Sequence, residues 1–348
     1  MEIIIDAMGG DNAPAEIVKG AAQAAQEGSS KLVLVGNKLR IEQCLRQCGA
    51  DTRFMEIVHA DQVLTMEDDP MSVIRRKKES SMAVGLRLLK ERGDAFVSAG
   101  NTGALHAGSS LIVRTVKGVQ RSAIATVLPF ERPMLLMDSG ANINVTAEYF
   151  VQWAFMGSIY MKNVLGIESP EVGLLNNGTE EQKGTQVLID AYRKLKETDG
   201  IRFHGNVEGK ELPFGPCDVL VTDGFTGNVT LKLIEGMASF MFGMLKDLYT
   251  KNTLTKLSFL TMKNGLREVK HAFDASEYGG APLLGLQKPV IKAHGSSDAK
   301  SVRSAIRQAE KYVSTGVTEQ IAEKMASYVI ARERKSAAEE KDENGNDD

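Results

Sequence analysis

Short apolar runs alternate with longer stretches of helical periodicity along most of the chain. The runs that predict strands cover residues 2–5, 31–35, 95–98, 134–137, 172–175 and 219–222. Strands that alternate with helices pair in parallel, so the pattern predicts an α/β protein with a wound, largely parallel sheet covered by helices. Ligands of such sheets bind where strand ends meet helix N-termini, because free N–H groups and the helix dipole favour anions there.

A different pattern follows the sixth strand-like run, where large apolar side chains recur on one face of a helix. The positions at this spacing are Met237, Phe240, Met241, Met244, Leu245 and Leu248. Residues 251–270 then interleave apolar residues with lysine and arginine, so residues 236–275 are predicted to form a helical hairpin. One interpretation packs this hairpin in a dimer or in the core. The other places Leu254, Leu257 and Phe259 on an anionic membrane surface, and both can hold for different faces.

Composition and charge indicate a soluble globular protein. The 348 residues are 43% hydrophobic and 25% charged, with a formal net charge of -3. Because no Pro/Gly/Ser-rich linker interrupts them, residues 1–335 are predicted to form a single domain. Residues 336–348 are rich in Glu, Asp and Asn, which predicts a disordered acidic tail. Without a leader pattern or a run of about 18 apolar residues, the protein is expected in the cytoplasm, meeting a membrane only peripherally.

Cysteine, histidine and basic residues lack the patterns of a metal site or of a nucleic-acid surface. The three cysteines are an odd, sparse set that indicates reduced thiols, and the five histidines are scattered singly. Structural metal ligands come in pairs at fixed spacing, so no metal is expected. The near-neutral charge, without a basic stripe interleaved with aromatics, argues against nucleic acid as a partner.

A glycine-rich turn, IDAMGGDNAP, follows the first strand-like run. Gly9 and Gly10 let the backbone turn tightly and approach a ligand, while Asp6 stands at the strand end. Such a turn is structural at least as often as it is functional. Asp6, Gly9 and Gly10 are therefore candidates for substrate binding that need support from elsewhere in the chain.

A second turn of this kind, VSAGNTGAL, lies between the third strand-like run and a helix. Gly100, Asn101, Thr102 and Gly103 combine small residues with hydroxyl and amide donors, which suits a cradle for phosphate. The segment is neither a P-loop nor a dinucleotide-binding fingerprint. An anion site and an ordinary turn are equally consistent with it.

The same residue types recur at three later strand ends, as MDSGAN at 137–142, NNGTEEQKG at 176–184 and TDGFTGN at 222–228. Their repetition predicts that these turns form one crevice. Lys183 is a candidate to neutralise phosphate, although a solvated lysine is equally consistent. Asp223, Gly224 and Asn228 are the further candidates at the last of these turns.

His294 is followed at once by Gly295, Ser296 and Ser297 at a predicted helix N-terminus. This setting suits a proton donor or an anion ligand, and Ser296 and Ser297 are candidates to contact substrate. The alternatives are a histidine packed in the core and a Ser297 that only caps the helix.

Taken together and in order, these motifs resemble the bacterial phosphate acyltransferases of phospholipid synthesis over residues 1–313. The motifs that carry the resemblance are IDAMGGDNAP, SAGNTGAL, RSAIATVLP, MDSGAN, LLNNGTEEQKG, FHGNVEG, VTDGFTGNVTLK, YGGAPLLGL and VIKAHGSSDA. Three positions depart from the family's usual pattern, with Asn12 in place of His, Ser122 in place of Pro and Thr185 in place of Asn. The first departure leaves His294 as the better candidate for an acid.

The resemblance implies a homodimer with a fold similar to phosphotransacetylases and to isocitrate or isopropylmalate dehydrogenases. It implies that acyl carrier protein donates the acyl group to inorganic phosphate without a cofactor. The product is expected to be delivered at a membrane. Whether a downstream glycerol-3-phosphate acyltransferase binds directly stays open at this point.

Roles follow from this chemistry as hypotheses, because phosphate can attack a thioester without a covalent enzyme intermediate. The Gly100 turn and Lys183 are assigned to phosphate, Asn228 to the oxyanion and His294 to the leaving group. Asp223 is assigned either to orienting His294 or to accepting a phosphate proton. Two other functions are weighed against this one, an NAD-linked decarboxylating dehydrogenase and a non-catalytic scaffold for acyl carrier protein.

Overall fold

The computed structural model describes residues 1–28, 30–130, 132–251 and 279–344, with side chains described as far as residue 334. Its strands are β1 (Glu2–Asp6), β2 (Lys31–Gly36), β3 (Met55–His59), β4 (Ala95–Ser98), β5 (Ala123–Leu128), β6 (Met134–Met137), β7 (Glu171–Asn176), β8 (Arg202–Glu208), β9 (Val219–Val221), β10 (Ala281–Leu284) and β11 (Val290–Lys292). Its helices are α1 (Ala15–Glu27), α2 (Lys38–Gln47), α3 (Ser81–Glu91), α4 (Thr102–Gly108), α5 (Ala147–Leu165), α6 (Gln186–Glu197), α7 (Gly224–Thr250), α8 (Ala299–Ser314) and α9 (Val317–Asn344).

The strands form one mixed sheet in the order β3-β2-β1-β4-β11-β10-β5-β6-β9-β7-β8. Pairing is parallel from β3 to β11 and again from β6 to β8, which confirms the prediction of a largely parallel sheet. The three contacts from β11 to β6 are antiparallel. Three reversals leave the two parallel halves running in opposite directions. The turns after β6, β7 and β9 therefore lie at one end of the sheet, while the turns after β1, β4 and β11 follow strands that run the opposite way.

Both faces of the sheet are covered, because successive strand residues point to opposite sides. Ile3 and Ile5 of β1 pack on one face with side chains of α1, α5 and α8, while Ile4 packs on the other with side chains of α3 and α4. All three isoleucines are fully buried. The helix-covered sheet of the prediction is confirmed at this strand.

Close packing of α8 on α1 fixes the segment that contains His294. A side chain at Gly20 of α1 would place its Cβ 2.6 Å from the carbonyl oxygen of Ala299, so only glycine allows this approach. Glu16 accepts a hydrogen bond of 2.8 Å from the Ala299 N–H, and Asp298 caps α8 by accepting from Ser301. The turn between β11 and α8 is thereby held against the start of α1.

The α7 helix begins at Gly224, earlier than residue 236, and most of its length projects from the sheet. Its large apolar side chains are mainly exposed, including 60% of Phe240 and 57% of Met241. The second arm of the predicted hairpin, with Leu254, Leu257 and Phe259, lies outside the described residues. In the part of the chain that is described, no helix is long and apolar enough to cross a membrane. The backbone of α9 is helical as far as Asn344, within the segment for which the sequence predicts a tail.

Candidate active site

The turns that follow β1, β4 and β11 meet in one group, here named the His294 cluster. Asp6 is buried at its base, where its Oδ2 accepts a hydrogen bond of 2.7 Å from the Ser98 hydroxyl. Burial raises the pKa of Asp6, and hydrogen bonds from neighbouring donors oppose that rise. A Cβ at Gly9 would lie 2.5 Å from Asp6 Oδ2 and 2.8 Å from the Gly100 nitrogen. Three of the predicted residues, Asp6, Gly9 and Gly100, therefore come together.

The turn after β1 is also tied to the turn after β11. Gly10 has a φ of +103°, and a Cβ there would lie 3.0 Å from the Gly295 carbonyl oxygen. The Asn12 amide donates to the carbonyl oxygens of Ser296 at 3.1 Å and Ser297 at 3.3 Å. At the position where the resembled family usually has His, this chain thus has a side chain that joins two turns.

The His294 side chain is exposed, so the alternative of a packed core histidine is wrong. Its Nδ1 lies 2.8 Å from the Ser296 hydroxyl and accepts from the Ser296 backbone N–H at 3.3 Å. Because Nδ1 is an acceptor, the proton of the neutral ring sits on Nε2. Nε2 is therefore a donor available to a ligand. Ser297 is buried, and its N–H donates to the His294 carbonyl.

Asn101 has a structural role in the same cluster. Its Oδ1 caps α4 by accepting from Ala104 at 3.0 Å, and its Nδ2 donates to the carbonyl of Met66 at 2.9 Å and that of Asp68 at 3.2 Å. The amide hydrogens are thus directed at the protein, which corrects the prediction that they serve phosphate. Thr102 and Gly103 are exposed beside it.

A second group, here named the Asp138 cluster, forms where β6 and β9 end. The Asp138 carboxylate is fully buried and accepts from the backbone N–H groups of Ile124, Ala141 and Asn142 at 2.6 to 3.1 Å. Gly140 and the Asn142 amide donate to it as well. Burial raises the pKa of Asp138, and these donors oppose the rise. The carboxylate organises the turn and has little capacity left for a ligand.

The N-terminus of α7 sits on the Asp138 cluster. The Gly224 N–H donates to the Asn142 carbonyl at 2.7 Å, and a Cβ at Gly224 would lie 3.0 Å from Asp138 Oδ2. The Asn228 amide lies against Gly140, where a Cβ would come within 2.9 Å of Nδ2. Gly224 and Asn228 therefore belong to this cluster, as the TDGFTGN motif suggested.

Asp223 caps α7 and makes no hydrogen bond with His294 among the described residues. Its Oδ1 accepts from the N–H groups of Phe225 and Thr226, and its Oδ2 accepts from the Thr226 hydroxyl at 2.7 Å. The structure therefore does not support the hypothesis that Asp223 orients His294, whose Nδ1 is paired with Ser296.

Lys183 lies in the loop after β7, the parallel neighbour of β9. Asn176 donates to its carbonyl oxygen at 3.1 Å, which fixes the backbone of the loop. The side chain is 47% exposed and its Nζ lies 3.9 Å from Glu180 Oε2, too far for a strong ion pair. The ammonium is therefore accessible at the same end of the sheet as the Asp138 cluster.

The short helix α4 joins the two clusters. It begins at Asn101 in the His294 cluster, and near its other end His106 Nε2 lies 3.4 Å from the Ser122 hydroxyl. Burial lowers the pKa of His106, and the charge of Asp138 opposes that shift. The Ser122 carbonyl in turn accepts from the Asn142 amide at 2.8 Å. Sequence reasoning missed His106, Ser122 and Asp138 as site residues, because only the fold brings them together.

Among the described residues, no group of three or more His, Cys, Asp or Glu side chains is arranged to hold a metal ion. Cys217 is buried, and burial raises the pKa of its thiol to about 12. A thiol protonated at neutral pH is a poor nucleophile. The polar groups of the two clusters are the candidates for chemistry.

The sequence matches a family described as "Fatty acid synthesis protein" over residues 1–320. It is 46% identical over 329 residues to "Phosphate acyltransferase" of Alkaliphilus oremlandii, covering 94% of this chain and 98% of the relative. It is 45% identical over 329 residues to "Phosphate acyltransferase" of Bacillus licheniformis, covering 93% and 98% of the two chains.

Solved structures share the fold at low sequence identity. A phosphotransacetylase from Streptococcus pyogenes aligns with a TM-score of 0.61 at 16% identity, covering 90% of this chain and 94% of that one. A 4-hydroxythreonine-4-phosphate dehydrogenase from Klebsiella pneumoniae aligns with a TM-score of 0.52 at 14% identity, covering 90% and 99%. The predicted similarity to the phosphotransacetylase fold is confirmed.

Proposed function

This chain belongs to the phosphate acyltransferase family, and from that premise we propose that it forms acyl phosphate from acyl carrier protein thioester and inorganic phosphate, reversibly, for phospholipid synthesis. The observation that carries the proposal is the near-complete match, at 46% identity, to a relative named phosphate acyltransferase. The exposed donor of His294 and the accessible ammonium of Lys183 supply groups that this chemistry needs.

The reaction joins a phosphate oxygen to the thioester carbonyl carbon and breaks the carbon–sulfur bond. The oxyanion that forms in between needs hydrogen-bond donors, and the departing thiolate needs a hydrogen-bond donor or a positive neighbour. Phosphate is already an anionic nucleophile near neutral pH, so the enzyme's work is positioning and charge stabilisation. No cofactor is required by this scheme.

Residues from both clusters are assigned to the reacting groups. His294 Nε2–H donates a hydrogen bond that stabilises the departing thiolate, because Nδ1 is already an acceptor for Ser296. Asn228 donates to the oxyanion, and Lys183 with the exposed turn at Thr102 and Gly103 holds phosphate. The seven residues of α4 rise by about 10 Å, a length over which side chains from both ends can enclose a thioester and a phosphate.

Phosphate-dependent loss of thioester separates this enzyme from a scaffold that only docks acyl carrier protein. Purified protein is incubated with acyl-acyl carrier protein at several phosphate concentrations, and the remaining thioester is measured. A rate that rises with phosphate supports the transferase. A thioester that survives at every phosphate concentration supports the scaffold.

A homodimer is proposed through the exposed apolar face of α7. Its members include Val229, Leu233, Met237 and Met241, which are 49 to 64% exposed at helical spacing. A stripe of this size is more often an interface than a free surface. Met241→Asp is then expected to give monomers or insoluble protein in sedimentation. A stable, active dimer carrying this change contradicts the interface.

A cytoplasmic enzyme that binds an anionic membrane surface reversibly is the final part of the proposal. Leu254, Leu257 and Phe259 lie outside the described residues, so their sequence pattern alone supports this contact. Basic neighbours contribute roughly 1 kcal/mol each at an anionic leaflet. The Leu254→Glu/Leu257→Glu variant should float less with anionic liposomes while its soluble activity persists. Unchanged flotation contradicts the contact.

A further inference from the structure

Lys292, the last residue of β11, lies in the His294 cluster but has no role in the chemistry described above. It pairs in parallel register with Ser98, the last residue of β4. Its ammonium is partly buried, and burial lowers the pKa of Lys292 to about 8. Among the described residues, the charged groups that face it are Asp11 and Asp6, which favour its charged form without overcoming the effect of burial.

The Lys292 ammonium joins two chain segments beyond the last rung of the ladder between β4 and β11. That rung is the 2.9 Å bond from the Ala293 N–H to the Ser98 carbonyl. Past it, Lys292 Nζ donates to the carbonyl of Ala293 and, at 3.5 Å, to the carbonyl of Ala99. Ala99 directly precedes Gly100 and Ala293 directly precedes His294. One side chain thus contacts the residues that immediately precede both turns.

We propose that Lys292 is a positioning residue, whose ammonium sets the separation between the Gly100 turn and the His294 imidazole. The role of Lys292 in activity rests on the proposed function, in which His294 serves the leaving thiolate. The link itself is a property of the fold and can be measured without substrate. An ammonium makes stronger bonds to carbonyl groups than a neutral amine does. The link therefore holds best while Lys292 is charged.

Lys288 provides a matched control from the same strand region. Its Nζ donates at 2.6 Å to the carbonyl of Gly93, before β4 begins, so it joins the same two chain segments at the opposite end. Lys288→Met removes a comparable bond far from the two turns. Lys292→Met removes the proposed link. Lys292→Arg keeps a positive charge at every pH of the assay, because the guanidinium does not lose its proton in that range.

The first test is amide hydrogen exchange at Gly100 and Gly295, which needs no substrate. Faster exchange at both amides is expected in Lys292→Met and not in Lys288→Met. Unchanged exchange in Lys292→Met, or an equal increase in both variants, overturns the proposal whatever reaction the protein catalyses.

The second test measures acyl phosphate formation from pH 6.5 to 9. Lys292→Met should lower kcat about tenfold with KM for acyl carrier protein within twofold, because the loss is one of positioning. In the wild type, kcat should fall as pH rises through about 8, where the ammonium loses its proton. Lys292→Arg should lack this inflection. An identical pH profile in wild type and Lys292→Arg overturns the proposal. This comparison tests the proposal even if Lys292→Met does not fold.

Discussion

The two clusters at the ends of α4 use similar residue types to different effect. In the His294 cluster, the imidazole is exposed and its Nε2 donor is available to a ligand. In the Asp138 cluster, a buried carboxylate is surrounded by N–H donors from the turn that it organises. A polar residue at a strand end can therefore bind a ligand only if it has a donor or acceptor that is not already used in hydrogen bonds within its own turn.

The largest effect should follow from Asp138→Ala. This change leaves several buried N–H groups without an acceptor, each at a cost of about 1–3 kcal/mol. The free energy of unfolding should fall by about 3 kcal/mol or more, or the protein should be insoluble. Chemical denaturation checks this, with Asp298→Ala as control, because loss of that exposed helix cap should cost only about 1 kcal/mol. Equal losses in the two variants contradict the contrast.

His294→Ala should lower kcat by about 10²-fold, equivalent to about 2.7 kcal/mol. Stability should stay near that of the wild type, because the side chain is exposed and only Ser296 shares its bonds. Steady-state kinetics and thermal unfolding on the same preparation separate the two effects. Full activity in the variant contradicts a catalytic role for His294.

Asn101→Ala should act mainly on stability, by about 1–2 kcal/mol, because the lost group caps α4 and holds residues 65–68. Sequence reasoning expected this change to weaken phosphate use directly. The phosphate KM and the free energy of unfolding are both measured for the variant and compared with those of the wild type. A tenfold higher KM with unchanged stability restores the earlier expectation.

Lys183→Ala should give the smallest effect, a rise in phosphate KM of about three- to tenfold with little change in stability. The ammonium is accessible and screened by water, so its attraction for phosphate is modest. Lys196→Ala is the control, because this exposed lysine of α6 is already paired with Glu181. An unchanged phosphate KM removes Lys183 from the site.

Local features of this fold could be predicted from the sequence more securely than its long-range order. Each predicted strand was a short apolar run bounded by turn residues, and each is present. Such runs do not predict whether a strand pairs parallel or antiparallel with its neighbours. The reversal at β10, which lies in the YGGAPLLGL segment, separated turns that looked equivalent in the sequence.

The candidate site could be predicted only as far as its backbone turns. Gly9 and Gly10 were identified because glycine lets the backbone turn tightly and approach another group, and the structure shows such an approach to the backbone of Gly100 and Gly295. The role of Asn101 was open to prediction, since Asn before a helix is a common cap. His106 and Asp138 depend on partners far along the chain, including Ser122 and Ile124, so no local signal reveals them.

Isotope tracing tests the central claim, that phosphate itself attacks the thioester, most directly. The protein is incubated with acyl-acyl carrier protein and phosphate labelled with ¹⁸O at every oxygen, and the products are weighed by mass spectrometry. The account predicts acyl phosphate that retains all of the label, formed at least about 10²-fold more slowly by His294→Ala. Release of free fatty acid without acyl phosphate, or thioester loss that does not depend on phosphate, contradicts it.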